Sequence, residues 1–202
     1  TNAKPSAVSA LSIADIVVEG ESRDDLFGYS VSGVGDLNRD GYDDVIIGAY
    51  QSGNMGKSYI YYGCSNMDSI PDVVLNGEDV SHLFGRSVTI TGDLNGDGYS
   101  DLVIAGTGDG WLIGEVTVYN GGLIVDTIPD LSIKGEGTNN SFGRSVSSAG
   151  DLNNDGYEDI IVGDKGYQYY TGRTYVYYGN EEIDNEADLV FGVEYDGNGD
   201  EL

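Results

Sequence analysis

Asp36, Asp40, Asp43 and Asp44 fall within the nine residues DLNRDGYDD, and an apolar run, VIIG, follows at once. Carboxylates that close repel one another unless something between them supplies positive charge. The arrangement returns as DLNGDGYSD from Asp93 and as DLNNDGYED from Asp151. Set over one another, the three loops offer side-chain oxygens at their first, third, fifth and ninth positions. These are Asp36, Asn38, Asp40 and Asp44; Asp93, Asn95, Asp97 and Asp101; and Asp151, Asn153, Asp155 and Asp159. The sixth position is always glycine, and the seventh (Tyr42, Tyr99, Tyr157) is placed to offer its main-chain carbonyl.

Oxygen-only ligands at alternate positions suit a hard cation, and the glycine permits the backbone to wrap around it. Three carboxylates match the charge demand of one Ca²⁺. Mg²⁺ fits less well because it keeps several waters and a tighter octahedron, and zinc lacks its His or Cys ligands. The order resembles the start of an EF-hand loop, but the twelfth position is Ile47, Ile104 or Val162 rather than a bidentate Glu, and no helix flanks it. An Asx-rich turn without metal has the same composition. Three copies in one register favour the cation.

The loops must be positioned by something that repeats with them. They start 57 and 58 residues apart, and nine residues before each stands a Phe-Gly pair: Phe27-Gly28, Phe84-Gly85 and Phe142-Gly143. After each loop comes a short apolar run, then a tyrosine segment (GKSYIYYG, GEVTVYNG, GRTYVYYG), then PDVVLNGE, PDLSIKGE or ADLVFGVE. A further copy of that last segment, ADIVVEGE, opens at Ala14. Each unit reads as four short strands. The second strand is apolar on consecutive residues, as a strand covered on both faces would be. The third alternates, as a strand with one wetter face would. Four antiparallel strands at this period predict an all-β fold of β-propeller blades. The repeat divides as 1–13 extension, 14–70, 71–128 and 129–186 units, and 187–202 as the outer strand of a following blade with an acidic end.

With 9 Lys and Arg against 35 Asp and Glu, the net charge is −26, which excludes a phosphate-backbone binder and disfavours an anionic membrane surface. Three Ca²⁺ would still leave it near −20. No run approaches the roughly 18 apolar residues of a membrane span. TNAKPSAVSALSIADIVVEG reads as a mature start rather than a signal peptide. The single Cys64 cannot form an intrachain disulfide and reads as a half-buried small side chain.

Phe-Gly, then DxNxDGxxD, then an apolar run closing in Gly or Ala, repeated at this period, resembles the FG-GAP repeat of integrin α-subunit propellers and of many secreted microbial proteins. The resemblance covers residues 14–194. The closing Gly-Ala-Pro of the family is degenerate here: Gly48-Ala49-Tyr50, Ala105-Gly106-Thr107 and Gly163-Asp164-Lys165. It implies three calcium sites: Asp36, Asn38, Asp40, Tyr42 and Asp44; Asp93, Asn95, Asp97, Tyr99 and Asp101; and Asp151, Asn153, Asp155, Tyr157 and Asp159. It also implies a secreted or cell-surface setting and a part in adhesion.

His82 is the only histidine, and no catalytic triad or nucleophile elbow accompanies it, so enzyme chemistry is not expected. Arg86 and Arg144 follow Phe-Gly and read as ion-pair partners. Trp111, Tyr167, Tyr169 and Tyr170 fall in loops, where aromatics could stack on a glycan or pack between blades. Asn139-Asn140-Ser141 is a glycosylation sequon. Propellers close with four to eight blades. Three metal loops therefore read as a fragment of a larger surface protein or as copies that associate head to tail. The expected function is a calcium-rigidified, non-enzymatic extracellular module that contacts a protein partner or other copies of itself. A carbohydrate-binding propeller and an accessory domain of a secreted hydrolase are the alternatives.

Overall fold

The computed structural model describes residues 16–33, 35–78, 83–107, 113–137, 141–167 and 171–193. The protein is all-β, three four-stranded antiparallel sheets in which strands follow one another in chain order. The first sheet is β1 (Ser30–Gly33), β2 (Val45–Ala49), β3 (Lys57–Tyr61) and β4 (Val73–Asn76). The second is β5 (Ser87–Ile90), β6 (Leu102–Gly106), β7 (Glu115–Tyr119) and β8 (Leu131–Lys134). The third is β9 (Phe142–Gly150), β10 (Asp159–Asp164), β11 (Arg173–Tyr177) and β12 (Leu189–Gly192). Each is a propeller-type blade, with its acidic loop joining the first strand to the second.

A periodic sequence can be cut at any phase. The ladders group 30–76, 87–134 and 142–192, so each Asp-apolar segment joins the three strands before it. Leu189–Gly192 accordingly hydrogen-bonds to β11 and completes the third sheet. ADIVVEGE behaves differently. Its described residues, 16–21, are in no strand. Val18 nonetheless packs on Ile47, Tyr59 and Tyr61 of the first blade.

Each blade has a leading flank toward the blade before it and a trailing flank toward the blade after. The first junction buries Ile46, Ile60 and Leu75 against Val88, Ile104 and Tyr119. The second buries Val103, Val118 and Ile133 against Val146, Val162 and Tyr177. A β-strand alternates its side chains between faces, so neighbouring blades claim both. Hence the third strand of the second blade is drier than its alternation suggests: Val118 and Tyr119, on opposite faces of β7, are both buried.

The Phe-Gly pair makes the joint. Phe27, Phe84 and Phe142 each stand edge-on to a tyrosine of their own blade, Tyr59, Tyr119 and Tyr175. The following glycine slides under the preceding blade: the Ser30 hydroxyl donates to the Gly85 carbonyl at 2.8 Å, and a Cβ on Gly48 would overlap that carbonyl. Arg86 forms no ion pair among the described residues. Its guanidinium lies over the edge-to-face Tyr29–Tyr50 pair of the first blade, 5.8 and 5.0 Å from the ring centroids. Cys64 is exposed rather than half-buried. Its counterpart, Gly122, is covered by the loop of the preceding blade, whereas among the described residues no such loop lies over Cys64.

Candidate metal centre

The three acidic loops fold alike because their side chains hydrogen-bond their own backbone. In the first, the Asp36 carboxylate accepts from the Asp40 and Gly41 amides at 3.1 and 2.9 Å. Asn38 Oδ1 accepts from the Asp40 amide at 3.0 Å, and Asp40 Oδ1 from the Tyr42 amide at 2.9 Å. The Asn38 amide group donates to Asp40 Oδ2 at 3.1 Å. Asp151, Asn153 and Asp155 repeat the set bond for bond. Asp93, Asn95 and Asp97 repeat it with one exchange: Asp93 accepts from Gly96 and Gly98. The wrap needs left-handed backbone at the fourth and sixth positions, and φ is positive at Arg39 and Gly41, Gly96 and Gly98, Asn154 and Gly156. Glycine takes that conformation without strain and asparagine with little, whereas Arg39 does not.

The ninth position is set apart. Asp44, Asp101 and Asp159 are fully buried, and each ties its loop to the end of the third strand. Asp44 accepts from the Leu37 and Gly63 amides at 2.7 and 2.8 Å. Asp101 does so from Leu94 and Gly121, and Asp159 from Leu152 and Gly179. The amide donors Gly63, Gly121 and Gly179 escaped the sequence reading. The signal for them was the final glycine of each tyrosine segment, always in one register with the aspartate.

Burial pushes the Asp101 carboxyl up to about 7, against the two amide hydrogen bonds that lower it, and the Asp97 and Asp93 charges raise it further. Burial likewise raises Asp44, with Asp40 and Asp36 adding to it. In these two loops the first, fifth and ninth positions therefore lie close enough to feel one another. Among the described residues no Lys or Arg pairs with a loop aspartate. Arg39, the one base inside a loop, turns instead over the Tyr99 ring at 5.2 Å.

Among the described residues no three carboxylate, imidazole or thiol groups stand together as a finished metal cage. The loop carboxylates spend their hydrogen bonds on amides. Each ionised carboxylate oxygen keeps a second lone pair, and the amides lock the oxygens in place. Buried negative charge without a counter-ion, presented only by oxygen, fits a hard divalent cation.

The loops also touch one another. The Ser100 amide donates to the Asp36 carbonyl and the Glu158 amide to the Asp93 carbonyl. In the first two loops the second residue, Leu37 or Leu94, is fully buried and packs into the following blade, and the Gly122 amide of the second blade donates to the Leu37 carbonyl at 2.8 Å. An apolar residue held at the same place in three polar loops was the sequence signal for this wedge, and it was not read. Of the loop aromatics, Tyr167 packs under Arg173, whose guanidinium is 3.6 Å from the ring centroid. Trp111, Tyr169, Tyr170, His82, the Asn139-Asn140 pair and the acidic end from residue 194 lie outside the described residues.

Blades of four antiparallel strands, with an oxygen-rich loop between the first two and a Phe-Gly pair at each joint, define a propeller-type repeat protein. The chain matches the FG-GAP repeat over residues 27–61, 84–124 and 142–177, together more than half its length, and it belongs to that family. It is similar to integrin alpha-6 of Gallus gallus, 46% identical over 56 residues, which is 27% of this chain and 5% of the relative. Integrin alpha-7 of Rattus norvegicus is 45% identical over 60 residues, 29% of this chain and 5% of the relative. Integrin alpha pat-2 of Caenorhabditis elegans is 36% identical over 70 residues, 33% of this chain and 6% of the relative. The chain thus spans about one-twentieth of the length of these curated relatives. Among the described residues no helix is long and apolar enough to cross a membrane.

Proposed function

We propose that this chain is a calcium-binding, non-enzymatic module of an extracellular or cell-surface protein, which presents rigid FG-GAP blades for adhesion or protein contact. The observation that carries the calcium reading is the thrice-repeated loop network around a buried aspartate with no basic partner. Asp36, Asn38, Asp40, the Tyr42 carbonyl and Asp44 would hold the first ion. Asp93, Asn95, Asp97, Tyr99 and Asp101 would hold the second, and Asp151, Asn153, Asp155, Tyr157 and Asp159 the third. The bound ion supplies positive charge where the carboxylates converge. The chain's own amides aim those carboxylates, and the buried ninth aspartate transmits the order of the loop to the third strand. The ion's role is structural. The family and its integrin relatives support a protein partner over a substrate.

The test is calcium titration by calorimetry together with thermal melting in calcium and in chelator. Three equivalents bound and a melting temperature that falls on chelation are expected. For a dissociation constant near 10⁻⁴ M and millimolar calcium, each site adds about 1.4 kcal/mol. An absence of heat with identical melts in both buffers would overturn the reading.

A further inference from the structure

Each blade receives a glutamate from the segment before it: Glu21, Glu78 and Glu136, each seven residues or fewer before a Phe-Gly pair and each just after a glycine. In the first and third blades this glutamate meets a base at the first position of the third strand. Lys57 Nζ lies 2.7 Å from Glu21 Oε2, and Arg173 Nη1 lies 3.1 Å from Glu136 Oε2. Both cations also stand over a ring, Lys57 at 6.0 Å from the Tyr59 centroid and Arg173 at 3.6 Å from that of Tyr167. In the middle blade the same position is Glu115, so the charge is reversed.

Glu78 and Glu115 line one cleft of about 440 Å³ between the first blade and the second, with Phe84, Thr117, Tyr119 and Ser132. The register of the ladders shows what opens it. Gly106 stands where the other blades have Ala49 and Asp164, and Thr117 where they have Tyr59 and Tyr175. Ser132 stands where they have Val74 and Val190. The wall is thus smaller and more polar here than at the equivalent places, and its ion-pair base is gone.

The cleft is negative. Ser132 donates its hydroxyl to Glu115 Oε1, and Lys134, with a side chain 65% exposed, stands at the rim 4.0 Å from that oxygen. Glu78 and Glu115 against Lys134 leave one negative charge among the lining residues, which suits a monocation better than Ca²⁺. Burial pushes the Tyr119 hydroxyl up to about 12, against the hydrogen bond to Thr117 that lowers it, and the Glu78, Glu115 and Asp126 charges raise it further.

We propose that this cleft binds an organic monocation, an ammonium or guanidinium group held by Glu78 and Glu115, in the place that Lys57 and Arg173 fill from within the chain at the other two blades. The Phe84 and Tyr119 rings supply an apolar wall for its carbon stem. The group arrives on a small amine or guanidine, or on a basic side chain of a partner. The site is independent of the calcium loops.

Calorimetry of the full chain in millimolar calcium tests this, with butylguanidinium, the blocked tripeptide N-acetyl-Gly-Arg-Gly-amide and neutral butylurea as probes. Saturable binding of the two guanidinium probes is expected, with butylurea at least about ten-fold weaker. Thr117→Tyr keeps every charge and gives the cleft the ring of its sibling blades. Glu115→Lys restores the ion pair. Each should weaken binding about ten-fold or more while circular dichroism shows the blades intact. A tripeptide that binds more tightly than butylguanidinium supports the site and identifies a partner's side chain as the source; the reverse order supports it with a small molecule. The proposal is overturned if neither guanidinium probe saturates, if butylurea binds as tightly, or if either variant binds undiminished, since that marks diffuse attraction to a chain of net charge −26. A chain that binds no calcium but passes this test removes the ion reading alone.

Discussion

The Ser100 amide donates to the Asp36 carbonyl at 3.2 Å, so the residue between the seventh and ninth positions of the second loop holds the first position of the first. Glu158 and Asp93 repeat the relationship at 3.0 Å, and Arg39 of the first loop stacks on Tyr99 of the second. Ordering one loop therefore fixes part of the next.

Calcium sites in neighbouring blades should bind cooperatively. Disabling the second and third loops together, by Asp97→Asn with Asp155→Asn, is expected to weaken the first site about five-fold relative to Asp155→Asn alone. Calorimetry on the two variants measures it. Equal first-site affinities would show that the contacts carry no coupling.

Stability should fall with pH without the ion and lose that dependence when the ion is bound. The folded-state pKa of Asp101 lies near 7, above its unfolded value of 3.8. The folded chain thus holds this proton more tightly, and the associated stability is full below about pH 4 and lost as pH rises through about 7. Asp44 shifts in the same direction. In chelator, melting temperature should fall over that window. Calcium requires the carboxylate form and should abolish the fall while releasing protons, which appears as a binding enthalpy that varies with the buffer. A chelated melt that rises across the window contradicts the assignment.

The loop leucines should separate by blade. Leu37→Ala empties a fully buried wedge and should cost about 2–5 kcal/mol. Leu152→Ala trims an exposed side chain and should stay within about 0.5 kcal/mol. Urea unfolding of the two variants at low protein concentration decides, and equal midpoints would show that the wedge does not hold the joint.

Glycines at the joint should separate likewise. A Cβ on Gly114 would overlap the Phe142 carbonyl oxygen, a backbone atom that cannot step aside. Gly114→Ala should therefore cost about 1–3 kcal/mol or more. Gly28→Ala meets open space and should cost only about 1 kcal/mol, for its positive φ. The same denaturation measurement ranks them; a Gly114→Ala chain as stable as the parent would mean that the blades can slide.

The fold was legible because its signals are periodic. Phe-Gly, the acidic loop and the tyrosine segment recur in register, and each local choice agrees with the same four-stranded unit. The loop's shape was equally readable, since Asp, Asn and Gly at fixed offsets dictate their own backbone bonds. What escaped depends on neighbours distant in sequence. Whether Leu37 is buried and Leu152 exposed, whether Cys64 is covered, and whether Arg86 finds a carboxylate or two rings are decided by the adjoining blade. ADIVVEGE and ADLVFGVE look alike as strings, yet among the described residues only the second pairs as a strand.

Gly77 and Phe84, which close against each other at a joint, are only seven residues apart, as are Gly20 and Phe27, and Gly135 and Phe142. The consequence is kinetic. A joint sealed by so short a stretch pays little loop-closure entropy, so a formed blade templates the next by a local search. Folding then spreads outward from whichever sheet nucleates first, as in other stacked repeats. Refolding rates in joint variants measured by stopped flow would show it: slowing confined to the far blade is the expected signature, and a uniform effect across all three sheets would refute it.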